Sequence, residues 1–323
     1  METSSLKLLT VVLPAFNAAT FINDAISSIL NQTCKDIEII VIDDGSTDTT
    51  GKAVASHETV NYIRQPNLGA AAARNRGIRE ASGQYIAFID ADDIWLPEKT
   101  AKQIKYLQET GLKWCYCDSY YSWFGKSEII GKLSRAQGIY QGDILIPYIS
   151  NKFEIPLPST VIERSVFEKV GLFDELLQTE EHTDLWSRIA IHYPIGYVNQ
   201  PLVQIRKRLD SLSQTTSPKV TGENRRYVLK KLLGLAPEKL KPPYYELVAI
   251  SYRYQGTHYL RRGEISNARA CFWQAIRMKP SKLRYLLYWL ACLVKPIPTT
   301  VYRIRWYFLQ NRKANLNSGW WAK

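Results

Sequence analysis

Three carboxylates directly follow an apolar run in the segment FIDADDIWLP, residues 88–97. An Asp-x-Asp pair at the end of a strand brings two carboxylates within reach of one hard cation. Mg²⁺ or Mn²⁺ held in this way completes its octahedral shell with water and phosphate oxygens. Asp90, Asp92 and Asp93 therefore predict a divalent metal site with a diphosphate substrate, although a solvated acidic turn has the same composition.

The segments before these carboxylates alternate between short apolar runs and amphipathic stretches. Residues 8–13 (LLTVVL) and 37–42 (IEIIVI) are apolar on both faces, as buried parallel strands are, and apolar residues at helical spacing lie between them. The helices and strands predicted next lie at about 48–56, 60–63, 69–81 and 85–90. The alternation predicts an α/β fold with a doubly wound, mostly parallel sheet that binds ligands at the carboxyl ends of its strands.

Polar residues concentrate in the loops at those carboxyl ends. The loops are PAFN (14–17), DDGSTD (43–48) and DADD (90–93), and all three are expected at one edge of the sheet. Asp43 and Asp44 have an alternative interpretation as helix caps. The chain contains neither GxGxxG nor GxxxxGK[ST], which argues against a Rossmann dehydrogenase or a P-loop kinase.

Composition and cysteine usage indicate a folded protein of the cytoplasm. The 323 residues are 46% hydrophobic and 22% charged, and the five cysteines form no CxxC pair. The N-terminus lacks the basic and apolar regions of a signal peptide, and no window has the roughly 18 to 20 apolar residues of a membrane span. Residues 283–298 come closest before Pro and Lys interrupt them.

Charge is distributed very unevenly along the chain. Residues 206–323 contain 24 Lys and Arg against 5 Asp and Glu, a net charge of +19, whereas residues 1–205 carry −7. The asymmetry suggests a globular N-terminal domain and a C-terminal segment that contacts an anionic surface. Nucleic acid is not the expected partner, because no nucleic-acid-binding motif accompanies the charge.

The C-terminal third is helical in pattern, aromatic and basic. We predict two domains, residues 1–217 and 218–323. The second contains one helical hairpin with tetratricopeptide spacing, which must pack on another surface because one such unit cannot bury its own face. The residues with that spacing are Tyr252, Gly256, Tyr259, Ala268, Phe272, Ala275 and Pro280.

The last aromatic segments suggest a membrane surface. YLLYWLACLV and VYRIRWYFLQNRK mix Trp, Tyr, Arg and Lys with short apolar runs, as helices lying on anionic membranes do. We therefore expect peripheral contact with the inner face of the cytoplasmic membrane. A packed helical hairpin with a solvated basic face is the alternative.

Four segments, in this order, carry a resemblance to a known family. They resemble glycosyltransferase family 2, the inverting nucleotide-sugar transferases of GT-A fold, over roughly residues 7 to 215. The segments are VVLPAFNAATFINDAISSILNQT, IEIIVIDDGSTDTT, NLGAAAARNRGIREASGQYIAFIDADDIWLPEKT and TEEHTDLWSRIA.

The resemblance implies a donor site. Pro14, Phe16 and Asn17 match the loop that lies along the nucleotide. Asp43 would accept a hydrogen bond from the base, and Asp44 would support its loop. The residues implied for the diphosphate and its metal are Arg74, which would reach the nucleotide or diphosphate, Asp90 and Asp92, which form the metal pair, and Arg206 and Arg208, which would neutralise the diphosphate. Solvated cations on a helix face or a strand edge are the alternative for the arginines.

The resemblance also implies a base that deprotonates the acceptor hydroxyl. The family places an Asp in an E-D-x-D-L-W motif, and here the segment reads Glu181-His182-Thr183-Asp184-Leu185-Trp186. His182 stands at the position of that Asp. Imidazole, with an ordinary pKa of about 6.5, can act as a base near neutrality. Glu181 and Asp184 are the alternatives.

We therefore expect a metal-dependent transferase. The expected donor is a nucleotide diphosphate sugar, most simply UDP-linked, and the expected acceptor is a glycan or lipid-linked intermediate in bacterial surface polysaccharide synthesis. Acceptor choice is expected to depend on residues 155–178 and on the C-terminal third. Because His182 departs from the family pattern, the alternative is a non-catalytic scaffold that binds a nucleotide sugar and recruits partners through its helical region.

Overall fold

A computed structural model describes residues 7–126, 128–133, 138–208 and 215–293. The segment 301–313 that suggested a membrane surface, and the end of IRKRLDSLS (205–213), lie outside the described residues. The chain divides into two compact units, Met1–Pro242 and Pro243–Lys323.

The first unit alternates strands and helices from its start. Every strand and helix predicted between residues 8 and 90 is present within a few residues of its expected position. The described elements are β1 (Leu9–Ala15), α1 (Ile22–Leu30), β2 (Ile37–Asp43), α2 (Thr50–Ala55), β3 (Val60–Arg64), α3 (Ala70–Glu80), β4 (Tyr85–Phe88), β5 (Ile94–Trp95), α4 (Lys99–Thr110), β6 (Trp114–Trp123), β7 (Ile129–Lys132), α5 (Leu145–Ile149), a 3-10 turn (Leu157–Ser159), β8 (Thr160–Glu163), α6 (Ser165–Val170), α7 (Glu181–His192), β9 (Gly196–Lys207), α8 (Pro218–Leu235) and α9 (Pro237–Leu240).

One sheet organises the first unit. Its strand order is β3-β2-β1-β4-β8-β6-β9-β5, and β7 pairs with β6. The first four strands are parallel, whereas β8 runs antiparallel to both β4 and β6. Ala15 pairs with Asp43, and Val12 pairs with Phe88, so the ends of β1, β2 and β4 meet at one edge. The predicted α/β fold is confirmed, and its parallel half positions the polar loops.

Helix α3 lies unusually close to the sheet. A Cβ atom added to Gly77 would overlap the side chain of Val12, which is fully buried in β1. Because protein cores are close-packed, this contact can accept a methyl group only if helix and strand move apart. The glycine therefore sets the distance between α3, which carries Arg74, and the sheet.

We expect Gly77→Ala to destabilise the protein by about 1–3 kcal/mol, the usual cost of overpacking a core. Chemical denaturation would measure the change in the free energy of unfolding. Gly234→Ala in α8 is the matched control, because a Cβ there meets no atom within 4 Å. A Gly77→Ala protein as stable as this control would contradict the close approach of helix and strand.

The second unit is helical, as predicted. It contains α10 (Tyr244–Arg261), α11 (Ile265–Met278) and α12 (Leu283–Ala291) among its described residues. Helices α10 and α11 form a hairpin in which a Cβ on Gly256 would lie 2.7 Å from the ring of the fully buried Phe272. Tyr285 and Tyr288 of α12 are buried against the hairpin, so α12 supplies part of the cover that the hairpin was expected to need.

The two compact units divide after Pro242, and the domain boundary expected at residue 217 stays a prediction. Helix α8, which follows residue 217, packs on α7 of the first unit. Lys231 of α8 forms ion pairs with Asp174 and Asp184 at 2.8 and 3.1 Å. The first unit therefore extends to Pro242. Among the described residues, no helix combines the length and apolarity needed to cross a membrane.

Candidate functional site

The loops after β1 and β2 are joined by hydrogen bonds. The backbone N–H of Asn17 donates to Ser46 Oγ at 2.9 Å, and the N–H of Thr47 donates to Asn17 Oδ1 at 2.9 Å. Asn17 has φ 48°, a left-handed conformation that Asn tolerates better than most residues. Pro14, Phe16 and Asn17 therefore share one surface with the second loop, and the Phe16 ring is half exposed there.

Asp43 is built into the second loop. It is 1% exposed, its Oδ1 accepts the N–H of Ser46 at 2.7 Å, and its Oδ2 accepts the Tyr62 hydroxyl at 2.5 Å. Burial and the hydrogen bond to Asp43 raise the pKa of Tyr62 to about 12, so the phenol stays a donor. Asp43 thus shapes the loop in this structure, and its contact with a nucleotide base stays a prediction.

Asp44 holds the segment that leads into α3. Its Oδ1 accepts from Gln65 Nε2 at 2.7 Å and from the N–H of Leu68 at 2.9 Å, and its Oδ2 accepts from the N–H of Gly69 at 2.8 Å. This carboxylate is buried and satisfied by its own chain. Neither Asp43 nor Asp44 caps α2, which has no side-chain cap.

Tyr62→Phe is expected to destabilise the protein by about 1–3 kcal/mol, because Asp43 Oδ2 then loses its buried donor. Thermal unfolding would detect the loss. Tyr245→Phe is the control, since Tyr245 is largely exposed. An unchanged melting temperature for Tyr62→Phe would mean that another donor replaces the phenol.

The three carboxylates of DADD differ in exposure. The side chains of Asp90 and Asp92 are 36% and 24% exposed, whereas Asp93 is buried and its Oδ1 accepts the N–H of Arg206 at 3.0 Å. Burial and the neighbouring charge of Asp90 raise the pKa of Asp92 to about 6. The crowding of negative charge here is the kind that a divalent cation relieves.

The donor set fits a hard cation with few protein ligands. Two accessible carboxylates suit Mg²⁺ or Mn²⁺, which retains water and takes substrate phosphate oxygens. Within the described residues there is no group of three or more His, Cys, Asp or Glu that could hold a metal on its own. A cation at Asp90 and Asp92 would therefore depend on a phosphate-bearing ligand to complete its shell.

Arg206, near the end of β9, and Arg208, just after it, contact different parts of the predicted site. Arg206 is buried, donates through Nη1 to Asp24 at 2.6 Å and through Nε to the carbonyl of Asp92, and lies over the Phe124 ring. Arg208 Nη1 lies 3.5 Å from Asp92 Oδ2. Arg206 thus anchors the carboxylate loop to β9, and Arg208 is the one beside the metal pair.

Arg74 connects the metal pair to the segment that carries the predicted base. Its Nη2 donates to Asp90 Oδ1 at 2.8 Å, and its Nη1 donates to Glu181 Oε1 at 3.0 Å. The side chain is buried, which opposes the charge, but the two carboxylates outweigh burial and raise the pKa of Arg74. In this structure Arg74 contacts two carboxylates that are distant in sequence, and its contact with the nucleotide or diphosphate stays a prediction.

The start of α7 carries the predicted base. His182 is 40% exposed, and its Nδ1 lies 3.6 Å from Glu181 Oε1. Burial raises the pKa of Glu181, but the adjacent imidazole of His182 and the charge of Arg74 lower it to about 2. Glu180, immediately before α7, has φ 69° and is held by Arg225 at 2.5 Å. Backbone strain of this kind clusters at functional sites.

Asp184, the third candidate base, is fully buried. Its Oδ2 accepts from Arg188 Nε at 2.9 Å and from Lys231 Nζ at 3.1 Å. A carboxylate without exposure cannot contact an acceptor hydroxyl in this structure, so Asp184 fixes α7 to α8. Glu181 contacts Arg74, which also contacts Asp90 of the metal pair, and His182 lies beside Glu181.

Sequence reasoning missed two groups that shape the site, Tyr62 and Asp24. Tyr62 contacts Asp43 because β3 pairs beside β2, and Asp24 contacts Arg206 because the first turn of α1 lies near β9. Neither residue lies in a motif. The βαβ order predicts that β3 pairs with β2. The alternation of side chains along β3 would then have identified Tyr62 as a possible neighbour of Asp43.

A family comparison and two relatives identify the domain. The sequence profile of glycosyl transferase family 2 matches residues 10–171. The chain belongs to glycosyl transferase family 2. An uncharacterized glycosyltransferase of Rickettsia conorii (strain ATCC VR-613 / Malish 7) is 32% identical over 201 residues, 61% of this chain and 32% of that protein. The putative teichuronic acid biosynthesis glycosyltransferase TuaG of Bacillus subtilis (strain 168) is 37% identical over 108 residues, 32% of this chain and 42% of TuaG.

Solved structures share the fold of this family 2 chain. S. aureus TarS 1–349 in complex with UDP-GlcNAc superposes with a TM-score of 0.64 at 15% identity, covering 92% of each chain. The mannosyltransferase PcManGT of Pyrobaculum calidifontis, in complex with GDP-Man and Mn²⁺, gives a TM-score of 0.55 at 17% identity, covering 95% of this chain and 86% of that one. The GT-A fold is therefore confirmed. The chain spans about a third of the Rickettsia relative.

Proposed function

We propose that this protein transfers a sugar from a nucleotide diphosphate donor to a hydroxyl of a surface glycan precursor, with inversion at the anomeric carbon and with a divalent cation. One observation carries the proposal. Arg74 binds Asp90 of the metal pair at 2.8 Å and Glu181 of the base motif at 3.0 Å. A single buried side chain thus couples the two halves of a transferase site.

The donor would bind along the loops after β1 and β2. The half-exposed ring of Phe16 offers an apolar surface for the base, beside Pro14 and Asn17. UDP is the favoured nucleotide, because the structurally similar TarS binds UDP-GlcNAc at 92% coverage of both chains. Asp90 and Asp92 would hold Mn²⁺ or Mg²⁺ against the diphosphate, with Arg208 3.5 Å from Asp92. PcManGT, solved with GDP-Man and Mn²⁺, supports the use of a cation.

The chain's own groups would handle the acceptor proton. His182 in its neutral form would accept the proton of the acceptor hydroxyl as that oxygen attacks the anomeric carbon. Glu181 would orient the ring and stabilise the imidazolium that forms, since its Oε1 lies 3.6 Å from His182 Nδ1. The bound cation would supply charge stabilisation of the departing diphosphate. Arg74 would hold the carboxylates of Glu181 and Asp90 at a fixed distance from each other.

The proposed acceptor is a bacterial surface polysaccharide or its lipid-linked precursor. The resemblance to TuaG, a putative teichuronic acid biosynthesis glycosyltransferase, supports a polysaccharide acceptor. Helix α12 supports a membrane location, because one face packs on the hairpin while the other exposes leucines. The exposed residues of the helix are Leu283, Leu286, Leu287 and Leu290, and Leu293 is exposed just after its end. Arg277, Lys279, Lys282 and Arg284 lie at or before this helix and would meet anionic lipid.

A screen of nucleotide sugars tests the proposed transfer. Wild-type protein with Mn²⁺, and again with EDTA, would be assayed for donor hydrolysis and donor binding. Metal-dependent turnover of one donor supports the transferase. Metal-dependent binding without turnover in the presence of acceptor extracts would favour the scaffold alternative, and no binding of any donor would overturn both.

Vesicle flotation tests the membrane contact separately. The double variant Leu287→Gln with Leu290→Gln should lose binding to vesicles that contain phosphatidylglycerol. Leu235→Gln, an exposed leucine in the first unit, is the control and should bind as wild type does. Equal binding of both variants would contradict a role for α12.

A further inference from the structure

A cleft opens beside the metal pair, and of its lining residues only Arg208 is also assigned to the donor diphosphate. Its volume is about 650 Å³, within the range of small-molecule sites. The residues that line it are Thr20, Phe21, Trp123, Phe124, Lys126, Lys207 and Arg208. The lining is therefore aromatic and basic, and none of these residues is acidic. The cleft thus combines apolar rings with positive charge.

The aromatic wall is held in place by the backbone. The N–H of Lys126 donates to the carbonyl of Trp123 at 3.0 Å, which closes a turn with Gly125 at φ 74°, and the N–H of Phe124 donates to the carbonyl of Lys207 at 3.0 Å. The turn after β6 is thus fixed to the end of β9. Rings on a fixed turn lose little entropy when a ligand covers them.

The rings remain available for contact. Trp123 is 40% exposed, and the rings of Phe21 and Phe124 meet edge to face with centroids 5.8 Å apart. Trp combines a large apolar face with a polar N–H, a combination suited to ligands that have both apolar and polar faces. A sugar ring, with its C–H face and its hydroxyl edge, is such a ligand.

Cations surround these rings. Arg208 lies 4.2 Å from the Phe21 centroid, and Lys207 also lines the cleft, with its Nζ 4.5 Å from the centroid of the neighbouring Tyr121 ring. Lys126 is exposed at the turn. A cleft lined by charges of one sign concentrates ligands of the opposite sign. The preferred ligand is therefore anionic.

The cleft also adjoins the proposed site of transfer. Arg208 lines the cleft, and its Nη1 lies 3.5 Å from Asp92 Oδ2. We propose that the cleft is a subsite for a negatively charged saccharide, an acceptor glycan that carries phosphate or carboxylate groups. This inference rests on the proposed function for its role in transfer, but the binding itself can be measured without a donor.

Isothermal titration calorimetry at low salt would test the subsite on the full-length protein without metal or nucleotide. The probes are trigalacturonate, which carries carboxylates, glucose 6-phosphate, which carries a phosphate, neutral maltotriose and inorganic phosphate. The variants are Trp123→Ala, Lys126→Gln and the charge-preserving Lys126→Arg. Lys105→Gln, an exposed lysine on α4, is the control. Circular dichroism would verify that each variant is folded.

We expect at least one anionic saccharide to bind, with maltotriose and inorganic phosphate binding more weakly. Trp123→Ala should weaken that binding about fivefold to tenfold, as loss of an aromatic contact does. Lys126→Gln should weaken it and Lys126→Arg should restore it, whereas Lys105→Gln should match wild type. Comparing the affinities of trigalacturonate and glucose 6-phosphate would show whether the cleft prefers carboxylate or phosphate groups.

Other outcomes would overturn the subsite. Equal binding of neutral and anionic saccharides would contradict a subsite for anionic ligands. Binding that Trp123→Ala and Lys126→Gln leave unchanged would show that the saccharide binds elsewhere. Loss of UDP affinity in the same two variants would assign the cleft to the donor. Saccharide binding in a protein that hydrolyses no nucleotide sugar would keep the subsite while the proposed transfer fails, so the two failures are distinguishable.

Discussion

Asp92→Asn is expected to lower kcat/KM for the donor at least about a thousandfold, equivalent to about 4 kcal/mol of transition-state stabilisation. Asparagine preserves the shape of the side chain but removes the charge that a divalent cation requires. Asp92 is 24% exposed in the turn between β4 and β5, so the substitution should leave the fold intact. The measurement is the rate of donor turnover over a range of Mn²⁺ concentrations.

Two comparisons give this result its meaning. Glu58→Gln removes an exposed carboxylate away from the carboxyl edge of the sheet and should keep wild-type kinetics. Raising Mn²⁺ should recover part of the activity of Asp92→Asn if Asp90 still contributes a ligand. Wild-type turnover in Asp92→Asn, or an equal loss in Glu58→Gln, would contradict the assignment of the metal pair.

His182→Ala is expected to reduce kcat by about a hundredfold to ten-thousandfold, the range for loss of a general base. Donor affinity should change little, because His182 is proposed to contact the acceptor. His192→Ala, at the far end of α7, is the matched control. Single-turnover kinetics with saturating donor would separate the chemical step from binding.

The pH profile distinguishes His182 from Glu181 as the base. Partial burial lowers the pKa of His182, but the adjacent carboxylate of Glu181 and the charge of Glu180 outweigh this effect and raise it. A histidine base works when neutral, so kcat should fall as pH decreases through this raised pKa. Glu181→Gln removes the charge responsible, and the acidic limb should then move to lower pH.

The opposite pattern would assign the base differently. If Glu181→Gln abolishes turnover at every pH while His182→Ala retains it, Glu181 is the base and the histidine only orients it. The pKa of Glu181, lowered to about 2, would in that case leave the carboxylate charged throughout the accessible range.

The sequence predicted the elements that local patterns determine. Strands β1 and β2 are apolar on both faces, and α1 has its apolar residues at helical spacing, so their positions follow from burial alone. The convergence of the three polar loops then follows from parallel pairing. Strand β5 has two residues and no period to detect, and the antiparallel placement of β8 depends on the whole sheet.

The side-chain partners were harder to predict, since they join residues that are distant in sequence. Arg74 meets Glu181 across 107 positions, and Arg206 meets Asp24 across 182. No motif encodes either pair. The partner of Asp184, in contrast, is close in sequence. Arg188 follows it at i+4, a spacing that favours an ion pair on one helix. The i, i+4 spacing alone would therefore have favoured a structural role for Asp184 over a role as base.

Calorimetric titration of UDP in the presence and absence of Mn²⁺ tests the central claim most directly, that Asp90 and Asp92 hold a cation against a nucleotide diphosphate. For the wild-type protein we predict that Mn²⁺ increases UDP affinity at least about tenfold, and that Asp92→Asn abolishes this coupling while leaving metal-free UDP affinity unchanged. UDP affinity that is independent of Mn²⁺ in the wild type, or coupling of equal size in Asp92→Asn, would contradict the account.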